Sequence, residues 1–176
     1  MIYFETERLV ARPFDPEDDA EEALEIYGDP EVTRWIGGET SPDLDAMRRR
    51  LERARELFDP RGHPFCLAAC FLRDGGALVG AGLLKKLPDA DGHDTDEVEV
   101  GWHLMRKRWG HGYATEIGRA LLERGFAALD VDAIYAVTDP PNDRSQAVAR
   151  RCGMEHVGPT DRYYGKTLEL FVKRRP

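Results

Sequence analysis

The stretch Glu97-Val98-Glu99-Val100-Gly101-Trp102-His103-Leu104-Met105 runs straight into Arg106-Lys107-Arg108-Trp109-Gly110-His111-Gly112-Tyr113-Ala114-Thr115-Glu116. The first part alternates in polarity with a period of two, which predicts a strand over 97–105. From His111 to Leu129 the apolar residues Ala114, Ile117, Leu121, Phe126 and Leu129 recur at helical spacing, which predicts a long helix. The chain therefore passes from strand to glycine loop to helix within a few residues. Glycines let backbone N–H groups approach a ligand without side-chain obstruction. A helix N-terminus adds unpaired donors and partial positive charge. Together they form a cradle suited to pyrophosphate. Arg106, Lys107 and Arg108 are expected to concentrate positive potential there, in a chain whose formal net charge is −8. The alternative is a plain glycine-rich loop with exposed cations. Two other phosphate loops fail on spacing. G-x-G-x-x-G would need glycine where Thr115 stands, and a Walker loop would need four residues between its glycines and then Lys-Ser/Thr.

Upstream, residues 8–14 alternate as an opening strand. Asp15 is a plausible N-cap for a helix over Pro16 to Tyr27, which Gly28-Asp29-Pro30 ends. Ser41-Pro42 opens a second helix that runs to about Phe58, with Leu44, Met47, Leu51, Ala54 and Phe58 on one side. Phe65 to Leu72 and Leu78 to Leu87 form a hairpin about Gly75-Gly76, and Pro88 to Thr95 is a turn-rich acidic loop. Downstream come a strand over Ala133 to Thr138, a helix over Asn142 to Cys152 stopped by Gly153, and strands over Met154 to Val157 and Leu168 to Lys173. This order predicts an α/β (α+β) fold with a mostly antiparallel mixed central sheet flanked by helices. A chain of 176 residues is enough for a single domain spanning 1–176.

Composition narrows the function. Apolar residues make up 41% and charged residues 33%, as in ordinary globular proteins. No apolar run approaches the roughly 20 residues that span a bilayer, so no membrane partner is expected. The opening residues lack the basic flank and apolar stretch of a signal peptide. The acidic balance argues against a nucleic-acid partner. Cys66, Cys70 and Cys152 are an odd count without CxxC spacing, which suggests reduced thiols and a cytoplasmic location. Cys66 and Cys70 share a strand face and read as small core hydrophobes. His93 among Asp91, Asp94 and Asp96 reads as an exposed acidic loop, so no metal site is expected.

The loop 106–116 resembles the acetyl-CoA loop of the GNAT acetyltransferase superfamily, R/Q-x-x-G-x-G/A at a strand-to-helix junction. Its form W-G-x-G-Y-A-T-E resembles the RimJ/RimL-type branch. Thr6-Glu7-Arg8-Leu9 with Arg12-Pro13, Gly28-Asp29-Pro30-Glu31-Val32-Thr33, Glu99-Val100-Gly101-Trp102, and Asn142-Asp143-Arg144-Ser145 with Cys152-Gly153-Met154 resemble further motifs of that branch in the same order. The resemblance implies an N-acetyltransferase that carries an acetyl group from acetyl-CoA, as co-substrate, to a primary amine on a protein N-terminus or a small molecule. The alternative is a non-catalytic acyl-CoA-binding module on the same fold. A homodimer would fit the family.

The resemblance also implies roles. The amides of Trp109, Gly110, His111, Gly112, Tyr113, Ala114 and Thr115 would hold pyrophosphate. The backbone of Trp102, His103, Leu104 and Met105 would pair with the pantetheine arm, joined by Asn142, which is equally suited to capping a helix. Ser145 would lie near the sulfur, or simply bond to its own helix. Glu99 is the candidate general base. Strand alternation sets it with Glu97 and Gly101, opposite Val98, Val100 and Trp102. A solvated surface acid is the plainer reading. His103 could reach the site, although a lone strand histidine is usually structural. The acceptor would lie between Asp29 to Gly38, including Trp35, and the last hairpin with Tyr163 and Tyr164. Three positions depart from the pattern. Lys107 stands where Gln or Arg is usual, Met154 replaces an aromatic, and Ala149 occupies the place of a tyrosine thought to protonate the leaving thiolate.

Overall fold

A computed structural model describes residues 1–37, 40–57 and 64–176. The strands are β1 (Phe4–Glu5), β2 (Leu9–Pro13), β3 (Cys66–Leu72), β4 (Leu78–Pro88), β5 (Asp94–Leu104), β6 (Ala133–Thr138), β7 (Glu155–Thr160) and β8 (Leu168–Arg174). The helices are α1 (Ala20–Tyr27), α2 (Pro30–Thr33), α3 (Leu44–Leu57), α4 (Tyr113–Ala128) and α5 (Asp143–Arg151). A 3-10 turn at Arg106–Arg108 joins β5 to the glycine loop. The eight strands form one sheet in the order β1-β2-β3-β4-β5-β6-β8-β7. Every neighbouring pair is antiparallel except β5 and β6. The mixed, mostly antiparallel α/β architecture expected from the sequence is the one observed.

Strand alternation divides the core into two layers. Cys66, Ala68, Cys70, Val98 and Val100 point to the side of α4 and α5, with Ile117, Leu121 and Val148. Ala69, Leu78 and Ala81 point to the other side, with Ala23, Ile26, Met47 and Leu51 of α1 and α3. Cys66 and Cys70 are thus core residues, and all three cysteines are free. Burial pushes the Cys66 and Cys152 thiols up to about 11, so they stay protonated and inert.

The element boundaries differ from the sequence reading where side chains intervene. Asp15 accepts N–H bonds from Glu17 and Asp18, at 2.9 and 3.3 Å. This holds 15–18 as a turn, and α1 begins only at Ala20. Its N-cap residue, Asp19, makes no side-chain cap bond, because both carboxylate oxygens bind Arg12 at 2.7 Å. Gly28-Asp29-Pro30 starts a new helix as well as ending one. Asp29 caps α2 by accepting the Glu31 N–H at 2.9 Å. The acidic loop is shorter than expected, since Asp94 already pairs with Pro88. The last hairpin begins one residue late and bulges between His156 and Gly158. Phe58 and Gly38 lie outside the described residues.

Helix α4 sits unusually close to the sheet, and glycines make that approach available. A Cβ on Gly118 would lie 2.8 Å from the Cys152 sulfur and 3.1 Å from the Trp102 ring. One on Gly82 of β4 would lie 2.6 Å from Ile117. These contacts fix the axis of α4 and so the position of its N-terminus. Gly118→Val is expected to cost about 1–3 kcal/mol through overpacking, read as a lower urea midpoint at unchanged slope.

Candidate functional site

The parallel ladder between β5 and β6 holds two residue pairs, Val98 with Ile134 and Glu99 with Tyr135. Beyond Glu99 the strands diverge, while β5 stays paired with β4 as far as Leu104. The His103 carbonyl is turned to β4, where a Cβ on Gly80 would collide with it. The Met105 N–H donates to Val79 O at 3.1 Å on the same side. Antiparallel alternation then turns the backbone of Trp102 and Leu104 into the gap facing β6. The Leu104 carbonyl accepts the Trp109 indole N–H at 3.0 Å, which closes the far end of the gap. The cleft formed there has a volume of about 1610 Å³. That exceeds the roughly 300–1,000 Å³ of a single small-ligand pocket.

The glycine loop lies at one end. Gly110 and Gly112 have φ of 80° and 83°, in the left-handed region that favours glycine. Gly112 is the N-cap of α4 and contributes no side-chain cap. The first intrahelical bond is Glu116 N–H to Gly112 O at 3.2 Å, so the amides of Tyr113, Ala114 and Thr115 have no carbonyl partner within their own helix. The loop is held from outside. Arg8 donates to Glu116 Oε2 at 2.7 Å and to the His111 carbonyl at 3.0 Å. Its guanidinium lies 4.5 Å from the Tyr113 ring centre. The Thr6 hydroxyl donates to Glu116 at 2.5 Å. Hydrogen bonds and charge from Thr6 and Arg8 outweigh desolvation and hold the Glu116 carboxyl below its ordinary range.

The three flanking cations do not act together. Lys107 pairs with Glu25 at 2.5 Å, and Arg106 with Asp29 at 3.1 Å. Arg108 lines the cleft, and its buried Nε has no hydrogen-bond partner among the described residues. Arg144 also lines the cleft, 5.0 Å above the Trp109 ring. On the opposite strand Thr138 borders the cleft with a buried hydroxyl that has no partner among the described residues. Of the remaining residues expected at the cofactor, His103, Leu104, Arg106, Trp109, Gly110 and Gly112 line the cleft, as do Tyr113, Ala114, Thr115 and Asn142. Met105, Lys107 and His111 do not border it. Met105 is buried in the α1–α3 layer, Lys107 faces α1, and the His111 carbonyl is taken by Arg8. Leftover donors at Arg108, on the α4 amides and along the Trp102–Leu104 edge fit a ligand that carries phosphates and amide groups.

Glu99 lies on the face opposite α4, as alternation predicts, and is buried at 7% exposure. It is therefore not a solvated surface acid. Its cross-strand partner is Lys85, whose ammonium is 3.5 Å from Oε2. The Tyr164 hydroxyl donates a short hydrogen bond to the same oxygen. Desolvation raises the Glu99 carboxyl above its ordinary range, against the opposing pull of Lys85 and Tyr164. Tyr164 has a left-handed φ of 56°, uncommon without glycine. Its N–H donates to the Asp89 carbonyl at 3.1 Å, which ties the last hairpin to the acidic turn.

On α5, the Asn142 Oδ1 accepts the Ser145 N–H at 3.2 Å. Its capping role is observed, and its amide group stays at the cleft. The Ser145 hydroxyl borders the cleft and makes no hydrogen bond among the described residues. Ala149 is fully buried in the α4–α5 layer. Asp89, Asp91 and His93 cluster at the acidic turn, where Asp89 Oδ1 accepts the Asp91 and His93 N–H groups, each at 2.9 Å. The sequence reading missed Lys85 as a partner of Glu99, the Tyr164 hydroxyl bond, the Thr138 hydroxyl and the Arg8 clamp. Only Lys85 left a usable signal, because register across the β4–β5 hairpin sets it opposite Glu99.

Comparison with known proteins agrees with this geometry. The model of the Acetyltransferase (GNAT) domain matches residues 8–155, and the chain belongs to the GNAT acetyltransferase family. It is 26% identical over 141 residues to the uncharacterized N-acetyltransferase p20 of Bacillus licheniformis, covering 80% of this chain and 75% of that protein. The structure of a GNAT-family acetyltransferase from Bacillus anthracis superposes with a TM-score of 0.74 at 23% identity, covering 98% of this chain and 96% of that one. A candidate ribosomal-protein-serine acetyltransferase from Vibrio cholerae superposes with a TM-score of 0.76 at 21% identity, covering 99% and 98%. Among the described residues, no helix is long and apolar enough to cross a membrane.

Because the Glu99 carboxyl is raised in the folded state, folding binds its proton more tightly. Its contribution to stability is complete below the ordinary carboxylate pKa of about 4.3 and is lost as pH rises through the folded value. Glu99→Gln removes this cost. Thermal melts of the variant and the parent are expected to converge in acid, with the variant gaining relative stability towards neutral pH.

Proposed function

We propose that this chain is a single-domain N-acetyltransferase that uses acetyl-CoA to acetylate a primary amine, on a peptide N-terminus or a small molecule. The observation that carries this reading is the cleft at the β5–β6 divergence. It brings the glycine loop of α4, on one side of the sheet, to the same gap as the buried Glu99 carboxylate on the other. A non-catalytic acyl-CoA-binding role would give no use to a buried carboxylate poised beside that gap. The amides of Gly110 and of Gly112 to Thr115, with Arg108, would bind the pyrophosphate, and the Trp102 and Leu104 backbone the pantetheine arm. Glu99 would take a proton from the incoming ammonium, directly or through water, and a raised pKa brings it nearer the working range of a general base. The neutral amine nitrogen then forms a bond to the thioester carbonyl carbon. The carbon–sulfur bond breaks, the electron pair leaves on the thiolate of coenzyme A, and the second proton lost from the nitrogen passes to that thiolate or to water. The Trp102 N–H, turned into the gap, is placed to bond the developing oxyanion. Proximity supplies much of the rate, up to about 7–11 kcal/mol in well-oriented cases. Ser145 would contribute one neutral hydrogen bond to the sulfur, worth about 0.5–1.5 kcal/mol.

The W-G-x-G-Y-A-T-E loop and the likeness to the Vibrio cholerae structure support a place in the RimJ/RimL-type branch. Three free, buried cysteines support a cytoplasmic setting.

Coenzyme A release from acetyl-CoA in the presence of an amine panel tests the reading as a whole. Gly112→Val would force a β-branched residue into a left-handed conformation, and calorimetry is expected to show weaker acetyl-CoA binding by a folded variant. Unchanged affinity would remove the loop from the cofactor site. Glu99→Gln is expected to slow turnover by about 10²–10⁴, with the deficit shrinking at high pH as free amine accumulates. A deficit that is constant with pH would assign Glu99 a structural role.

A further inference from the structure

The His103 side chain lines the cleft without a role in this scheme. His103 shares the acceptor-side face of β5 with Glu99 and Gly101, and its backbone is engaged with β4. Its ring meets Tyr27 of α1 edge-on, with centroids 5.9 Å apart. The Tyr27 oxygen lies 3.3 Å from the His103 Nδ1. Tyr27 is 2% exposed, so its O–H is a buried donor that needs an acceptor. Among the described residues His103 Nδ1 is the acceptor within reach. Arg50, 4.3 Å over the Tyr27 ring centre, offers only a cation. A phenol that donates to Nδ1 forces the ring proton onto Nε2. Tyr27 holds the Nδ1 edge against the buried layer, whereas the residue itself is only half-buried and borders the cleft. The Nε2–H edge is the one left to face the acceptor.

We propose that Tyr27 locks His103 as a neutral Nε2–H hydrogen-bond donor, and that this donor selects acceptor amines carrying a hydrogen-bond-accepting oxygen several bonds from the nitrogen. The proposal rests on the acetyltransferase reading above. In this state His103 has no lone pair facing the cleft and cannot serve as a base there, so proton removal falls to Glu99. Glu99 and His103 are four residues apart on the strand, about 13 Å between their Cα atoms, with Gly101 and the Leu83 side chain between the two. An amine near Glu99 and an oxygen near His103 are therefore separated by more than one or two bonds. Peptide carbonyls and amino-sugar hydroxyls both supply such an oxygen, whereas an alkyl amine does not. The surroundings keep the ring neutral. Burial, with Arg50 from α3 and Lys85 from β4, pushes the His103 imidazolium down to about 3. The Tyr27 phenol is raised by burial and stays protonated. Glu99 on the same strand face is compensated by Lys85, and Glu31 of α2 lies across the cleft, exposed to solvent.

Nitrogen NMR of histidine-labelled protein reads the tautomer directly and needs neither turnover nor cofactor. The expected result is a pyridine-type Nδ1 and a pyrrole-type Nε2 for His103, unchanged from about pH 5 to 8, with Tyr27→Phe mixing the tautomers. A pyridine-type Nε2, or a ring that titrates in the ordinary histidine range, overturns the proposal even if acetyl transfer is confirmed. For selectivity, kcat/KM is compared for a peptide amide, an amino sugar and an alkyl amine of similar length. His103→Leu is expected to lower kcat/KM for whichever oxygen-bearing arm is the better acceptor about threefold to tenfold more than for the alkyl amine, through KM. Equal losses on all three arms overturn the selectivity role. Failure of the acetyltransferase reading would show differently, as no coenzyme A release from any amine with the tautomer result intact.

Discussion

Two residue pairs of parallel ladder hold β5 to β6, and the divergence beyond them governs the rest of the site. A strand in mid-sheet normally has both backbone edges satisfied. Here β5 is paired along its length on the β4 side but leaves Trp102 and Leu104 facing a gap. Such an edge in the middle of a sheet is costly unless something occupies it or covers it. The protein covers one end with the Trp109 indole at Leu104. It brings the N-terminus of α4 to the same gap. Donors are thereby gathered from three directions without a cluster of free lysines, which is how an acidic chain can offer an anion site.

The position of α4 depends on two unrelated features that act together. Small residues on both surfaces let the helix lie close to β4 and β5, and this fixes its axis. The N-terminal segment fixes its end, through Arg8 and Thr6 on Glu116 and on the His111 carbonyl. Glu116 would ordinarily complement the helix dipole from the first turn. Here its carboxylate anchors the opening of the chain to the loop, so β1 and β2 at one edge of the sheet help to hold a site at its centre.

The Glu99 side of the cleft follows a different logic. Glu99, Lys85 and Tyr164 form a small buried network in which desolvation and hydrogen bonding pull the carboxyl in opposite directions. Its components come from two neighbouring strands and a hairpin far along the chain. Tyr164 reaches Glu99 in a left-handed conformation that its N–H bond to Asp89 helps to hold. Strained backbone at such a point is the pattern expected where precise placement of a group outweighs local conformational preference.

Patterns of period two and near four, which depend only on neighbouring residues, were readable in the chain itself. They gave β5, the glycine loop and α4 in the right order. They also gave the facing of Glu99 against Val98 and Val100, and the burial of Cys66 and Cys70. The helix-capping place of Asn142 was legible for the same reason, since a cap acts within one turn. Competition between side chains for the same partner was not legible. Asp19 gives its oxygens to Arg12, so α1 starts late. Lys107 and Arg106 pair with Glu25 and Asp29, whereas Arg108, beside the cleft, has a buried Nε without a partner among the described residues. The donor state of His103 and the Tyr164 bond to Glu99 also belong to the tertiary structure, because each joins residues more than sixty positions apart. Local sequence fixes which groups a strand or helix presents, but only the packing of distant segments decides which of those groups are already satisfied and which are left for a ligand.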